Sequence, residues 1–128
     1  MQNPENNKGI TEKQHSYDLT ELIQLSNGSN AFVANMIEIF IRSSTEALTK
    51  IKEALIQTDW EEVSALAHKA APSFHFMGLI IFSDKLRSIE INALKEKEHK
   101  SIAEMIGLID KNMVVILADL KAELAKFK

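Results

Sequence analysis

Apolar side chains recur at three- and four-residue intervals along almost the whole of this chain, and that periodicity restricts the fold more than any other feature. In the C-terminal stretch Ile102, Met105, Ile109, Met113, Ile116, Leu120 and Leu124 keep the pattern without a break. At about 3.6 residues per turn such positions align on one stripe of a helix. Val33, Ile37, Phe40, Ala47, Ile51 and Leu55 keep the same spacing in a segment free of Gly and Pro, which predicts one long helix ending near Gln57. Val63, Ala67, Ala70, Phe74 and Met77 form a third stripe, and Phe82, Leu86, Ile89 and Ala93 a fourth.

The punctuation between the stripes sets the helix boundaries. A short first helix, about Asp18 to Leu25, is closed by Asn27 and Gly28, with Ser29 or Asn30 capping the next. Thr58, Asp59, Trp60 and Glu61 read as a capping box that starts the next helix at about Asp59. That helix runs to Met77 and breaks near Gly78. The fourth spans about Leu79 to Leu94, and a charged connector, KEKEHK, leads to a last helix from about Ser101 to Lys126. Long amphipathic helices joined by short connections predict an all-α fold, an antiparallel up-down four-helix bundle of residues 17–128 with the short N-terminal helix as a cap. Residues 1–16, polar apart from Met1, Ile10 and the small or ring residues Pro4 and Gly9, read as a disordered tail.

Composition narrows the function. With 128 residues the chain is one domain able to bury a sizeable core. Lys and Arg number 15 against 18 Asp and Glu, a balance that gives no drive toward nucleic acid or an anionic membrane. The absence of cysteine excludes disulfides, thiolate metal sites and cysteine catalysis. No apolar run is long enough to span a bilayer, and the N-terminus has no apolar signal core, so a cytoplasmic protein is expected. No nucleophile–base pair or metal-ligand cluster is visible, and His15 and His99 fall in the tail and the connector.

The residues around His68 carry the chemistry. The run AHKAAPSFHFMGL places His68 well away from the third apolar stripe, on the polar face. Ser64, Ala65, Ala71 and Pro72, all compact, are its neighbours one turn away and read as a collar that lets a partner approach the ring. Pro72 removes the hydrogen bond that would return to the carbonyl of His68 and predicts a kink over residues 68–72. Lys69 lies about 100° round the helix from His68, and Ser73 is placed to cap backbone that Pro72 frees. His75, seven residues on, shares the face of His68, where it reads as a solvated histidine or as a peripheral contact to a partner. At roughly 10.5 Å along the axis the two imidazoles are too far apart to share one metal ion. Trp60 reads as an anchor between helix ends.

Ala67, His68, Lys69, Pro72, Ser73 and Phe74, followed by Met77 and Gly78, resemble the motif of the histidine-containing phosphotransfer (Hpt) domains, and the likeness extends over about Tyr17 to Leu124. Ala71 stands where the family usually has lysine, Pro72 where it has glycine, and Phe74 where it has a second serine. The resemblance implies a phosphoryl carrier with no kinase activity of its own. His68 would be the phosphoacceptor, Lys69 and Ser73 would assist the phosphate, and Ser64, Ala65, Ala71, Pro72 and His75 would line the partner surface. It implies receiver domains of response regulators as partners, with a hybrid sensor histidine kinase as a further candidate, and a monomer. No cofactor is expected on this chain, Mg²⁺ being held by the receiver. Ala71 and Pro72 leave room for a second expectation: a non-phosphorylated bundle that binds receivers as a scaffold or sink.

Overall fold

The computed structural model describes residues 17–95 and 99–128. Its helices are α1 (Thr20–Ser26), α2 (Asn30–Ile56), α3 (Trp60–Phe76), α4 (Ile80–Ala93) and α5 (His99–Leu124), followed by a 3-10 turn, Ala125–Phe127. The expectations for residues 1–16, His15 included, and for residues 96–98 of the connector lie outside the described residues. All regular structure in the described residues is helical, as the periodicity predicts.

Helices α2 to α5 form the antiparallel bundle. Phe40 of α2 meets Phe74 of α3 edge to face, with ring centroids 5.2 Å apart, while at the other end of the pair the Asp59 amide reaches back to the Ala54 carbonyl at 2.9 Å. On the opposite flank of α2, Lys52 pairs with Asp110 and Glu38 with Lys128, so α5 also runs against it. Helix α4 packs on both α3 and α5, which leaves α3 and α5 diagonal to one another. The predicted stripes fill the centre: Ile37, Ile51, Val63, Phe74, Phe82, Leu86, Ile89, Ile102, Ile109 and Leu120 are all fully buried. Each side chain of that size contributes roughly 1.5–3 kcal/mol by leaving water, whereas the exposed ion pairs add about 1 kcal/mol at most.

Two helix ends turn on the same device. After α3 the Gly78 amide donates to the His75 carbonyl and the Leu79 amide to that of Phe74, both at 2.9 Å, with Gly78 in the left-handed region at φ +78°. This is a Schellman turn, and Leu79 and Phe74, whose backbones it joins, are both fully buried. After α2, Thr58 and Asp59 donate to Leu55 and Ala54 in the same way, and Thr58 takes the left-handed position at φ 51°. The expected capping box is therefore corrected by one residue. Thr58 closes α2 and cannot also begin α3, so Asp59 is the N-cap and its carboxylate accepts the Glu62 amide at 3.2 Å.

Gly78 also fixes the entry segment. The Asp18 amide donates to the Met77 carbonyl at 2.9 Å, and Leu19 and Leu22 bury their side chains beside it. Tyr17 then reaches α5, its hydroxyl donating to the Glu123 carboxylate at 2.9 Å. At the opposite end of the bundle Trp60 stacks on His99, with centroids 3.7 Å apart. Trp60 is thus the anchor its position predicts. His99 is corrected from connector to first residue of α5, where its ring lies on the indole. No described helix is long and apolar enough to cross a membrane.

Candidate functional site

His68 lies on the outer ridge of α3, with 69% of its side chain exposed. Helix α3 continues through Pro72 to Phe76, so the proline leaves the His68 carbonyl without its usual intrahelical donor but does not end the helix. On the surface of the same ridge, Ala65 and Pro72 are exposed beside the ring. Those two members of the predicted collar reach the surface.

The other two do not. Ser64 and Ala71 are buried, with 6% and 0% of their surface accessible, so neither can line a partner surface. They are seven residues apart and share one side of α3. The Ser64 hydroxyl donates to the Glu90 carbonyl at 2.7 Å, which shows that side to be the one α4 covers. Close approach of two helices needs small residues at the crossing, and compactness here reflects packing within the bundle. The position where the resemblance expects a phosphate-facing lysine is, in this chain, a core position.

Lys69 is exposed and Ser73 half-buried, and both sit on the flank of α3 that faces α2. There they line a cleft of about 300 Å³ with Ser43, Ala47, Lys50 and Leu66. The Ser73 hydroxyl donates to the Ala70 carbonyl at 3.0 Å, a bond one turn back within its own helix, so it does not serve the carbonyl that Pro72 frees. His75 is exposed but belongs to a separate recess, about 450 Å³, that it lines with Asp18, Gln24, Gly78 and Ile80. The structure therefore divides the predicted residues. Lys69 and Ser73 lie on the α2 flank, Ser64 and Ala71 beneath α4, His75 at the α1 end, and only Ala65 and Pro72 beside His68.

The residue the sequence does not reveal is Glu90. From the last turn of α4 its carboxylate reaches His68 Nδ1 at 2.8 Å, with 30% of the side chain exposed. A carboxylate offers only acceptors, so Nδ1 carries the proton in this pair and the lone pair of a neutral ring is on Nε2, directed away from the contact. The one sequence hint was position. Glu90 follows Leu86 by four residues and so borders the apolar stripe of α4, where a carboxylate is out of place without a partner. No group of three or more His, Asp or Glu side chains suited to a metal ion occurs among the described residues.

No family model and no curated protein matches the sequence. Among solved structures, the chain is similar to histidine-containing phosphotransfer protein B (HptB) of Pseudomonas aeruginosa PAO1, with a TM-score of 0.78 at 18% sequence identity, over 88% of this chain and 96% of that one. The likeness is one of fold, and the chain has the fold of a histidine-containing phosphotransfer protein.

Proposed function

We propose that the protein is a phosphorelay carrier in which His68 accepts a phosphoryl group from the aspartate of one receiver domain and passes it to another. The observation that carries this reading is the His68–Glu90 pair on the outer ridge of an Hpt fold. With Nδ1 donating to Glu90, the Nε2 lone pair is free to attack the phosphorus of an aspartyl phosphate. The P–N bond forms as the P–O bond to the receiver breaks, and the electron pair leaves on the aspartate carboxylate. Positive charge that develops on the ring is spread to Nδ1–H and met by the Glu90 carboxylate. The return transfer is the same step in reverse. Mg²⁺ on the receiver would neutralise the phosphoryl oxygens, Lys69 would supply the nearest cation on α3, and Ala65 and Pro72 would let the receiver surface approach. The reading places the chain with its receivers in the cytoplasm, acting without kinase activity of its own.

The test is incubation with phosphorylated receiver domains, comparing the wild type with His68→Gln. An acid-labile phosphate on the wild type and none on a folded His68→Gln variant is the expected result. Labelling that persists in the variant, or that maps to His75, would refute the assignment of His68. Receiver binding without transfer in the wild type would leave the scaffold reading in its place.

A further inference from the structure

Among the described residues the buried polar side chains are Ser26, Ser44, Ser64 and Ser83. Three of them return their hydroxyl to a carbonyl one turn back on the same helix: Ser26 to Ile23, Ser44 to Ile41 and Ser83 to Ile80. Ser64 alone of the four crosses to another helix, donating to the Glu90 carbonyl at 2.7 Å. That carbonyl belongs to the last turn of α4, where the backbone ladder is closing. The Leu94 amide, its natural donor four residues on, turns to the Asn92 carbonyl, and the Lys95 amide bonds there too. The final carbonyls of a helix need outside donors, and Ser64 supplies one from α3.

Glu90 is therefore held twice by one helix. Ser64 grips its backbone from beneath α4, and His68, one turn further along α3 at the exposed edge of that side, meets its carboxylate at 2.8 Å. We propose that Ser64 is a positioning residue for His68: by capping the end of α4 it fixes the turn that carries Glu90, and so keeps Glu90 on Nδ1 and the lone pair on Nε2. The inference rests on His68 as phosphoacceptor for its role in transfer, but the tautomer it sets is a property of the unphosphorylated protein. In the reaction the proton stays on Nδ1 throughout, the new P–N bond is at Nε2, and the bond broken is that to the receiver aspartate.

The experiment uses Ser64→Ala, Glu90→Ala and the double variant of the full chain, and has two readouts. Ring-nitrogen NMR of the unphosphorylated proteins is expected to find the Nδ1–H tautomer of His68 dominant in the wild type and reduced in all three variants. The initial rate of transfer from a phosphorylated receiver is expected to fall about three- to tenfold in Ser64→Ala, the scale of one net hydrogen bond. The double variant should be no slower than Glu90→Ala alone, because a residue that acts through another has nothing left to position. An unchanged tautomer in Ser64→Ala overturns the inference, as does an equal further loss when Ser64→Ala is added to Glu90→Ala. A wild type that takes no phosphate refutes the carrier reading instead, while the NMR comparison still decides whether Ser64 controls the His68–Glu90 pair.

Discussion

Replacing Gly78 with alanine should destabilise the fold by about 2–3 kcal/mol, and the three described glycines together separate the causes. Gly78 has φ +78°, and a Cβ built on it would lie 2.5 Å from both the Cβ and the amide nitrogen of Asp18 and 2.7 Å from its carbonyl oxygen. Two effects follow. The left-handed backbone costs an alanine about 1–2 kcal/mol. The entry segment must also retreat, and since the Asp18 amide donates to the Met77 carbonyl, retreat sacrifices a bond worth about 0.5–1.5 kcal/mol. Gly28 has φ +86° with nothing within 4 Å of the added Cβ, so Gly28→Ala isolates the backbone cost of about 1–2 kcal/mol. Gly107 is helical with open space around it, so Gly107→Ala should stabilise by about 0.5–1 kcal/mol. Urea unfolding followed by far-UV circular dichroism reads all three. If Gly78→Ala costs no more than Gly28→Ala, the close approach of Asp18 is not what makes glycine necessary at the end of α3.

Ala71→Lys, which the motif suggests would restore a phosphate-binding cation, should instead cost about 3 kcal/mol or more, because Ala71 is wholly buried against α4 and the core must take both extra volume and a charge; an unfolding transition unchanged from wild type would overturn its burial. Thr58→Gly should stabilise by up to about 1 kcal/mol, since a β-branched residue holds the left-handed position at φ 51°, and a fall in the urea midpoint would contradict this. Tyr17, the only tyrosine, has its pKa pushed up from 10.0 to about 12, first by burial and then by its hydrogen bond to Glu123 and the charges of Glu123 and Asp119. The neutral phenol is thus the form the fold prefers. Its stabilisation is complete below about pH 10 and is lost as pH rises toward about 12. Tyrosinate absorbance should titrate late in the folded protein, and Tyr17→Phe should remove that part of the alkaline stability loss.

How much the sequence revealed is clearest around α3. Apolar spacing alone predicted α2 to α5, because a stripe that repeats every three or four residues can be buried only as a helix face. Gly78 marked the end of α3, since a positive φ there is far easier for a residue without Cβ. The outward direction of His68 followed from the same wheel. A wheel describes directions about one axis, however, and does not say which of them a neighbouring helix will cover. Ser64 and Ala71 read as an open collar because they are small and off the stripe, yet they are small because α4 lies against them. Thr58 looked like a cap because local chemistry allowed it, until the closing turn of α2 claimed the position. Glu90, 22 residues from His68, shares no local pattern with it. Only the packing of α4 on α3 brings that carboxylate to Nδ1, so the sequence named the histidine while the tertiary structure decided which of its nitrogens faces solvent.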